Sequence, residues 1–342
     1  MRRSTRLGVA ILGALLLIAG GYTAYWFVVA GQIEDGLVAW AQSVRADKID
    51  ASWQKLRVRG FPVSFRVELE AATLRDNALT PSPEFLAPAV SGTARPWDFA
   101  DWRLVAREGF TADIRGSGER APANLTVRSA DGVVSIPPEG GWKLWLRAQD
   151  ASLSAVSRVL VNSADAWITV PPKPPRLHSE PQLTLAVHTR QLALPVGFEP
   201  LGGTIDELDF GATVKGGIAN GRLPEALAAW RDAGGTIELD KLYLKWGALD
   251  ATASGTVALD QELQPIAAFS GGVQGYDQIL TALVQRGQMR AGDAGLARIA
   301  LTMLAKSGAD GKPEIRTAFT IQNGQMFLGP AKLGKVPRVT WE

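Results

Sequence analysis

Residues 7–33 carry no charged side chain, and the run LGVAILGALLLIAGGYTAYWFVVA within them is dominated by Leu, Ile, Val, Ala and Gly. As a helix residues 7–33 extend about 40 Å, more than the roughly 30 Å hydrocarbon layer of a bilayer. Arg2, Arg3 and Arg6 flank its near end, Tyr22, Tyr25, Trp26 and Phe27 gather at its far end, and Glu34 and Asp35 follow. Amphipathic rings favour the headgroup boundary and arginines the cytoplasmic side, so the pattern predicts a single-pass inner-membrane protein. Residues 1–6 are expected in the cytoplasm, residues 7–30 in the bilayer, and the bulk of the chain in the periplasm. A cleavable signal peptide is the alternative, with Val28 and Ala30 as a small-residue processing site. The run is longer than a usual signal core, and bulky Trp26 and Phe27 sit just before that cut. Both readings export the main body.

Beyond this run, Ile33, Leu37, Trp40 and Val44 recur at helical spacing and predict a short amphipathic helix continuing from the membrane. Alternation then takes over. Val63, Phe65, Val67 and Leu69 alternate with Ser64, Arg66, Glu68 and Glu70, the period of a strand with one wet face. The same period recurs at Leu125 and Val127, at Trp142, Leu144 and Leu146, and at Leu183, Leu185 and Val187. Its clearest run sets Leu208, Phe210, Ala212, Val214 and Ile218 against Asp209, Thr213 and Lys215. Ile237 and Leu239 share one phase while Leu242, Leu244 and Trp246 take the other, so an extra residue near Asp240 and Lys241 implies a β-bulge or a turn. Leu249, Ala251, Ala253, Val257 and Leu259 form a returning strand. Ile315, Phe319 and Ile321 form a late one, with Asn323-Gly324 as its hairpin turn.

Helical patterns are few. The segment LPEALAAWR has Pro224 in its first turn and stops at Gly234 and Gly235. Tyr276, Ile279, Leu280, Leu283 and Val284 mark a second helix, and Leu296, Ile299, Met303 and Leu304 a third. Two proline-rich segments, residues 77–92 and 171–181, read as loops, the second being the best internal boundary. The expected fold class is α+β, mostly antiparallel β. An N-terminal transmembrane helix precedes an elongated, curved β-rich region in two halves, residues 31–170 and 182–342, with helices near 222–232 and 275–306.

Composition removes several kinds of chemistry. The 36 basic and 34 acidic residues leave a formal charge of +2 with no basic block after the first few positions, so no nucleic-acid footprint is present. Zero cysteines exclude disulfides, thiolate nucleophiles and thiolate metal sites. His178, in the proline loop, and His188, on a polar strand face, lie outside any HExxH-like frame, so structural or solvent roles are expected and no metal site. Asp206, Glu207 and Asp209 lack the glycine-shaped loop of a calcium site and read as a solvated strand edge. The spelling GSGERA at 116–121 resembles a dinucleotide loop, yet Pro122 and a strand-like run follow where pyrophosphate needs a helix, so it reads as a turn. With no GxSxG or P-loop either, no catalytic residue and no cofactor are expected. Eleven tryptophans are many for this length, and core filling is their default role. Trp97 and Trp102, within RPWDFADWRL, are the candidate ligand-surface aromatics.

The N-terminal anchor, the segment WQKLRVRGFP, the segment GGTIELDKLYLKWGALDATASGTVALDQELQP and the tail LGPAKLGKVPRVTW together resemble the envelope family called domain of unknown function 2125. The resemblance runs from the anchor to Trp341 and brings no catalytic signature with it. Residues 235–259 are also similar, more loosely, to strand pairs of AsmA-like anchored proteins, which implies lipid handling or envelope assembly. The chain lacks the many tandem repeats of the long members, which argues against a complete inter-membrane conduit.

The leading expectation is a non-catalytic, membrane-anchored periplasmic protein whose sheet offers an apolar face to lipid. Leu208, Phe210, Val214, Ile218, Ile237 and Leu239 are the candidate groove residues. Expected partners are the inner membrane and either lipid or another envelope protein. A protein-interaction scaffold is the alternative, and a hydrolase has the least support.

Overall fold

The computed structural model describes residues 2–77, 82–114, 122–155, 157–195, 201–219, 222–308, 311–329 and 331–341. The GSGERA segment lies outside them. The chain divides into two compact units, Met1–Val134 and Ser135–Glu342.

The first unit begins with one unbroken helix, α1 (Arg2–Ser43), ended by a 3-10 turn and by Lys48 at a φ of 63°. The stretch Ile11–Ala46 is long and apolar enough to cross a membrane. The helix therefore carries both the charge-free run and the amphipathic segment. Its inner face steps through Trp26, Ala30, Ile33, Leu37 and Ala41, at the three- and four-residue spacing of one helical stripe. Trp40, expected on that face, is exposed one position away from it.

Seven strands follow: β1 (Ile49–Ser52), β2 (Lys55–Arg59), β3 (Phe65–Asp76), β4 (Pro83–Arg95), β5 (Asp98–Ala106), β6 (Phe110–Ile114) and β7 (Ala123–Ser135). β3 is the hub. It pairs antiparallel with β1 and β2 along one edge and with β4 along the other. The far edge of β4 pairs with β6 near residues 83–86 and with β5 near residues 91–95. Residues 83–92, expected in a loop, are thus strand. Pro83 opens β4, and Pro88 falls in the gap between the β6 and β5 pairings, where its missing N–H costs no ladder bond on that side. Val63, expected within the strand, sits instead in the turn ahead of it.

The second unit is a meander. Its elements are β8 (Trp142–Ser154), β9 (Arg158–Val170), β10 (Pro181–Ala193), β11 (Thr204–Lys215), α2 (Leu223–Asp232), β12 (Thr236–Trp246), β13 (Leu249–Leu259) and β14 (Pro265–Gln274). Then come α3 (Tyr276–Gln285), α4 (Ala291–Leu304), β15 (Lys306–Ser307), β16 (Pro313–Gln322), β17 (Gln325–Leu328) and β18 (Ala331–Lys335). Each strand from β8 to β14 pairs antiparallel with the next one described, with β16 beside β14 and β17 and β18 following. The proline-rich residues 171–180 connect two paired neighbours, β9 and β10. The fold is mostly antiparallel β, with four α-helices among the described residues.

The phase change in β12 is a bulge. Lys241 faces Gly211 while Leu239 faces Ala212, leaving Asp240 as the extra residue. Its effect is to bring Ile237 and Leu239 onto the same face as Leu242 and Leu244. The late hairpin turn has Asn323 and Gly324 at φ 50° and 66°, the left-handed pair that a two-residue turn requires.

Candidate functional site

Residues directly opposite in an antiparallel pair share a face, so register alone traces the apolar side of the second unit's strands. Ile168, Leu185, Ala212, Leu239, Gly255, Phe269 and Phe319 follow one another across seven strands from β9 to β16. A parallel row runs Ala166, Val187, Phe210, Leu242 and Ala253. Leu208 lies between Thr189 and Leu244, and Val214 between Leu183 and Ile237. Five of the six groove residues therefore lie on one face. Ile218 does not join them, because β11 ends at Lys215 and Gly216, at φ 84°, turns the chain away.

Among the described residues of this sheet the buried side chains are Ala151, Thr189, Ala212 and Ala267. The large apolar ones, Phe210, Leu242 and Val214 included, stay half-buried. A sheet face packed under a second layer would hide its largest side chains first, since they bring the most area. The helices attach at strand ends. In α2, Trp230 donates from Nε1 to the Lys215 carbonyl at 2.7 Å, and Arg231 donates to the Asp260 and Gln261 carbonyls. α3 follows Gly275, which closes on the Ala248 carbonyl at the turn between β12 and β13. On α4, Leu296, Ile299, Met303 and Leu304 are exposed, so the apolar stripe legible in the sequence is left largely open, and the buried side chain of this helix is Ala294. Within the apolar face, the buried Thr189 hydroxyl has no hydrogen-bond partner among the described residues.

The opposite face is a polar ladder: Arg147, Asp165, His188, Asp209, Tyr243 and Thr252, each directly across from the next. Arg147 Nε donates to Asp165 at 2.8 Å and lies over the Trp145 ring. Arg190 Nε donates to His188 Nε2 at 3.0 Å, which leaves the proton of a neutral imidazole on Nδ1, donated to Asp209. Lys241 Nζ reaches the other Asp209 oxygen at 2.8 Å. Burial works to raise the Asp209 carboxyl, but the hydrogen bonds from Lys241 and His188 and the charge of Lys241 outweigh it and hold the group below the ordinary carboxylate range. Burial, then the negative charges of Asp250, Glu207 and Asp209, push the Tyr243 phenol up.

Donor atoms of His188, Glu207 and Asp209 lie within 4.8 Å of one another, a set that could grip a cation. The chain's own cations flank that set, since Lys241 holds the other Asp209 oxygen and Arg190 the far ring nitrogen of His188, while His188 Nδ1 itself bonds Asp209. A metal on Nδ1 would move the imidazole proton to Nε2 and set it against the Arg190 N–H. Asp209 lies on the polar face opposite Phe210, but β11 is paired with β10 and β12, so the expected solvated strand edge is an interior strand, and the pairing of Asp209 with His188 depends on register between strands and has no local signal.

Trp97 and Trp102 part company. Trp97 stands at the tip of the β4–β5 hairpin, 70% exposed. Trp102 lies along β5, its Nε1 donating to the Phe99 carbonyl at 3.1 Å and its ring near Gly92. Close by, Trp26 of α1 stacks on Phe65, and Phe61, Phe27 and Phe99 extend the aromatic cluster.

No curated protein and no solved structure matches the chain. A family model matches residues 26–337, nearly the whole chain, and its match opens at the tryptophan that locks α1 to the sheet. By that match the chain belongs to the family described as an uncharacterized protein conserved in bacteria, DUF2125.

Proposed function

We propose that this protein is a single-pass inner-membrane protein with its bulk in the periplasm, and that it binds lipid acyl chains on the apolar face of the second unit's strands. The observation that carries the reading is the contiguous apolar surface from β9 to β16 whose large side chains remain half-buried. The reading is non-catalytic: His188, with both ring nitrogens engaged, has no free position at which to act as a base. Retention of the anchor is supported by packing, since cleavage after Ala30 would strip Trp26 and Ala30 from a cluster centred on Phe65. Lipid extraction and mass spectrometry of the full chain, beside a Phe210→Glu variant, test the proposal.

A second reading rests on α4. Its open stripe of Leu296, Ile299 and Met303 suits a protein partner in an envelope complex. Photo-crosslinking from position 303 in intact cells distinguishes it: a single discrete protein adduct supports a scaffold, and adducts to lipid alone support the first reading.

A further inference from the structure

Resting on the reading that α1 stays in the bilayer, we infer that two hairpin tips of the first unit, residues 60–64 and 96–97, seat in the headgroup region of the membrane leaflet at the far end of α1. Register puts both tips at one end of the sheet, because Arg59 faces Arg66, Phe65 faces Ala94, and Arg95 faces Asp98.

Contacts with α1 set their depth. The Tyr22 hydroxyl donates to the Pro62 carbonyl, the Tyr25 hydroxyl to the Pro96 carbonyl at 3.1 Å, and Trp26 Nε1 to the Ser64 carbonyl at 3.2 Å. Phe27 stacks on Phe61 with ring centroids 5.8 Å apart. From Leu7, about 20 helical residues cross a hydrocarbon layer of roughly 30 Å, which brings the boundary to Trp26. Both tips therefore touch the helix at the depth where its own Tyr and Trp rings mark the interface.

The tips carry the side chains for that place. Turns ordinarily present polar residues, yet Phe61 is 45% exposed, Val63 65% and Trp97 70%. Exposed Arg59, Arg66 and Arg95 stand one step back on the strands, within reach of lipid phosphates. Arg59 also approaches Glu68 at 3.7 Å. Asp98, the acid beside Trp97, turns a carboxylate oxygen back to the Ala100 N–H at 3.2 Å. Apolar tips under a basic collar match an anionic bilayer surface, and their continuity with the spanning helix selects the bilayer over a soluble protein partner.

The chain contains no cysteine, so Trp97→Cys and Phe61→Cys each accept one environment-sensitive fluorophore without further engineering. Full-length protein is reconstituted in phosphatidylethanolamine–phosphatidylglycerol vesicles, with a nitroxide-labelled lipid whose quencher lies near the headgroups. A label at position 77, at the other end of β3, is the reference. Labels at 97 and 61 should lose more than half of their emission while the label at 77 is unaffected. Equal, weak quenching at all three sites in a chain whose mass includes the anchor overturns the seating and leaves the anchor standing. Protection of positions 97 and 61 without lipid quenching assigns the tips to a protein contact and overturns it too. A recovered chain beginning near Gly31 overturns the anchor, and the seating with it.

Discussion

Trp26 of α1 lies flat on Phe65 of β3, ring centroids 5.0 Å apart and planes 14° from parallel, and Phe65 is the most completely buried large side chain described. The core of the first unit thus begins inside a segment that a sequence reading assigns to the membrane. Phe65→Ala should destabilise the unit by about 3–5 kcal/mol through loss of transferred area and the cavity left behind. Thermal unfolding of the full chain in detergent, followed by near-UV circular dichroism, checks the value; a change within error would mean that the helix does not share this core.

The same contact predicts the mature N-terminus. Intact mass of the protein from membranes should include residues 1–30, because signal cleavage would leave Phe65 and Val58 facing water.

Two positions on the apolar face of the second unit should respond differently to an introduced charge. Ala212 is enclosed and Phe210, two residues away on the same face, is half-buried. Ala212→Glu should unfold the unit, an unpaired buried carboxylate costing several kcal/mol, whereas Phe210→Glu should keep its far-UV spectrum and lose lipid. Equal unfolding by both variants would point to a closed core. Thr189→Val offers a finer probe of packing: with its buried hydroxyl unpartnered among the described residues, the change should leave stability unchanged or raise it by about 1 kcal/mol.

Acid and alkali should act on the polar ladder with opposite signs. Asp209 is held below its ordinary value, so its contribution is complete above the unfolded carboxylate value of about 3.9 and is lost as pH falls through the lower folded value. Asp209→Asn should flatten that acid limb, by about 1 kcal/mol at most, since Lys241 is solvent-exposed. Tyr243 is raised, so its contribution is complete below the unfolded value of about 10 and is lost as pH rises through the higher folded one. Tyr243→Phe should remove the alkaline limb. His188→Ala and His178→Ala should leave lipid capture intact, which complementation in cells tests.

Period-two alternation identified the strands around Phe210, Leu244 and Phe319, because one half-buried face writes itself into local sequence. The phase break at Asp240 marked its bulge for the same reason. Pro88 misled, since a proline forbids a strand only where its N–H would be used, and which edge of β4 lies unpaired there is a tertiary fact. Trp40 misled because the inner stripe of α1 steps to Ala41, a residue too small to signal burial. The His188–Asp209 pair and the hairpin tips at residues 60–64 and 96–97 join residues far apart in sequence, and only strand register and the docking of α1 bring them together.

Acyl chains on the sheet face are the central claim, and bound lipid measured against its own variant tests it most directly. Full-length protein and the Phe210→Glu form are purified identically in detergent, so lipid held around the spanning helix is common to both, and extracts are quantified by mass spectrometry. Retention of a defined lipid by the native chain, with loss of more than half of it in the folded variant, is the result this account predicts. Equal lipid in both proteins, or none above the annular background, would contradict it.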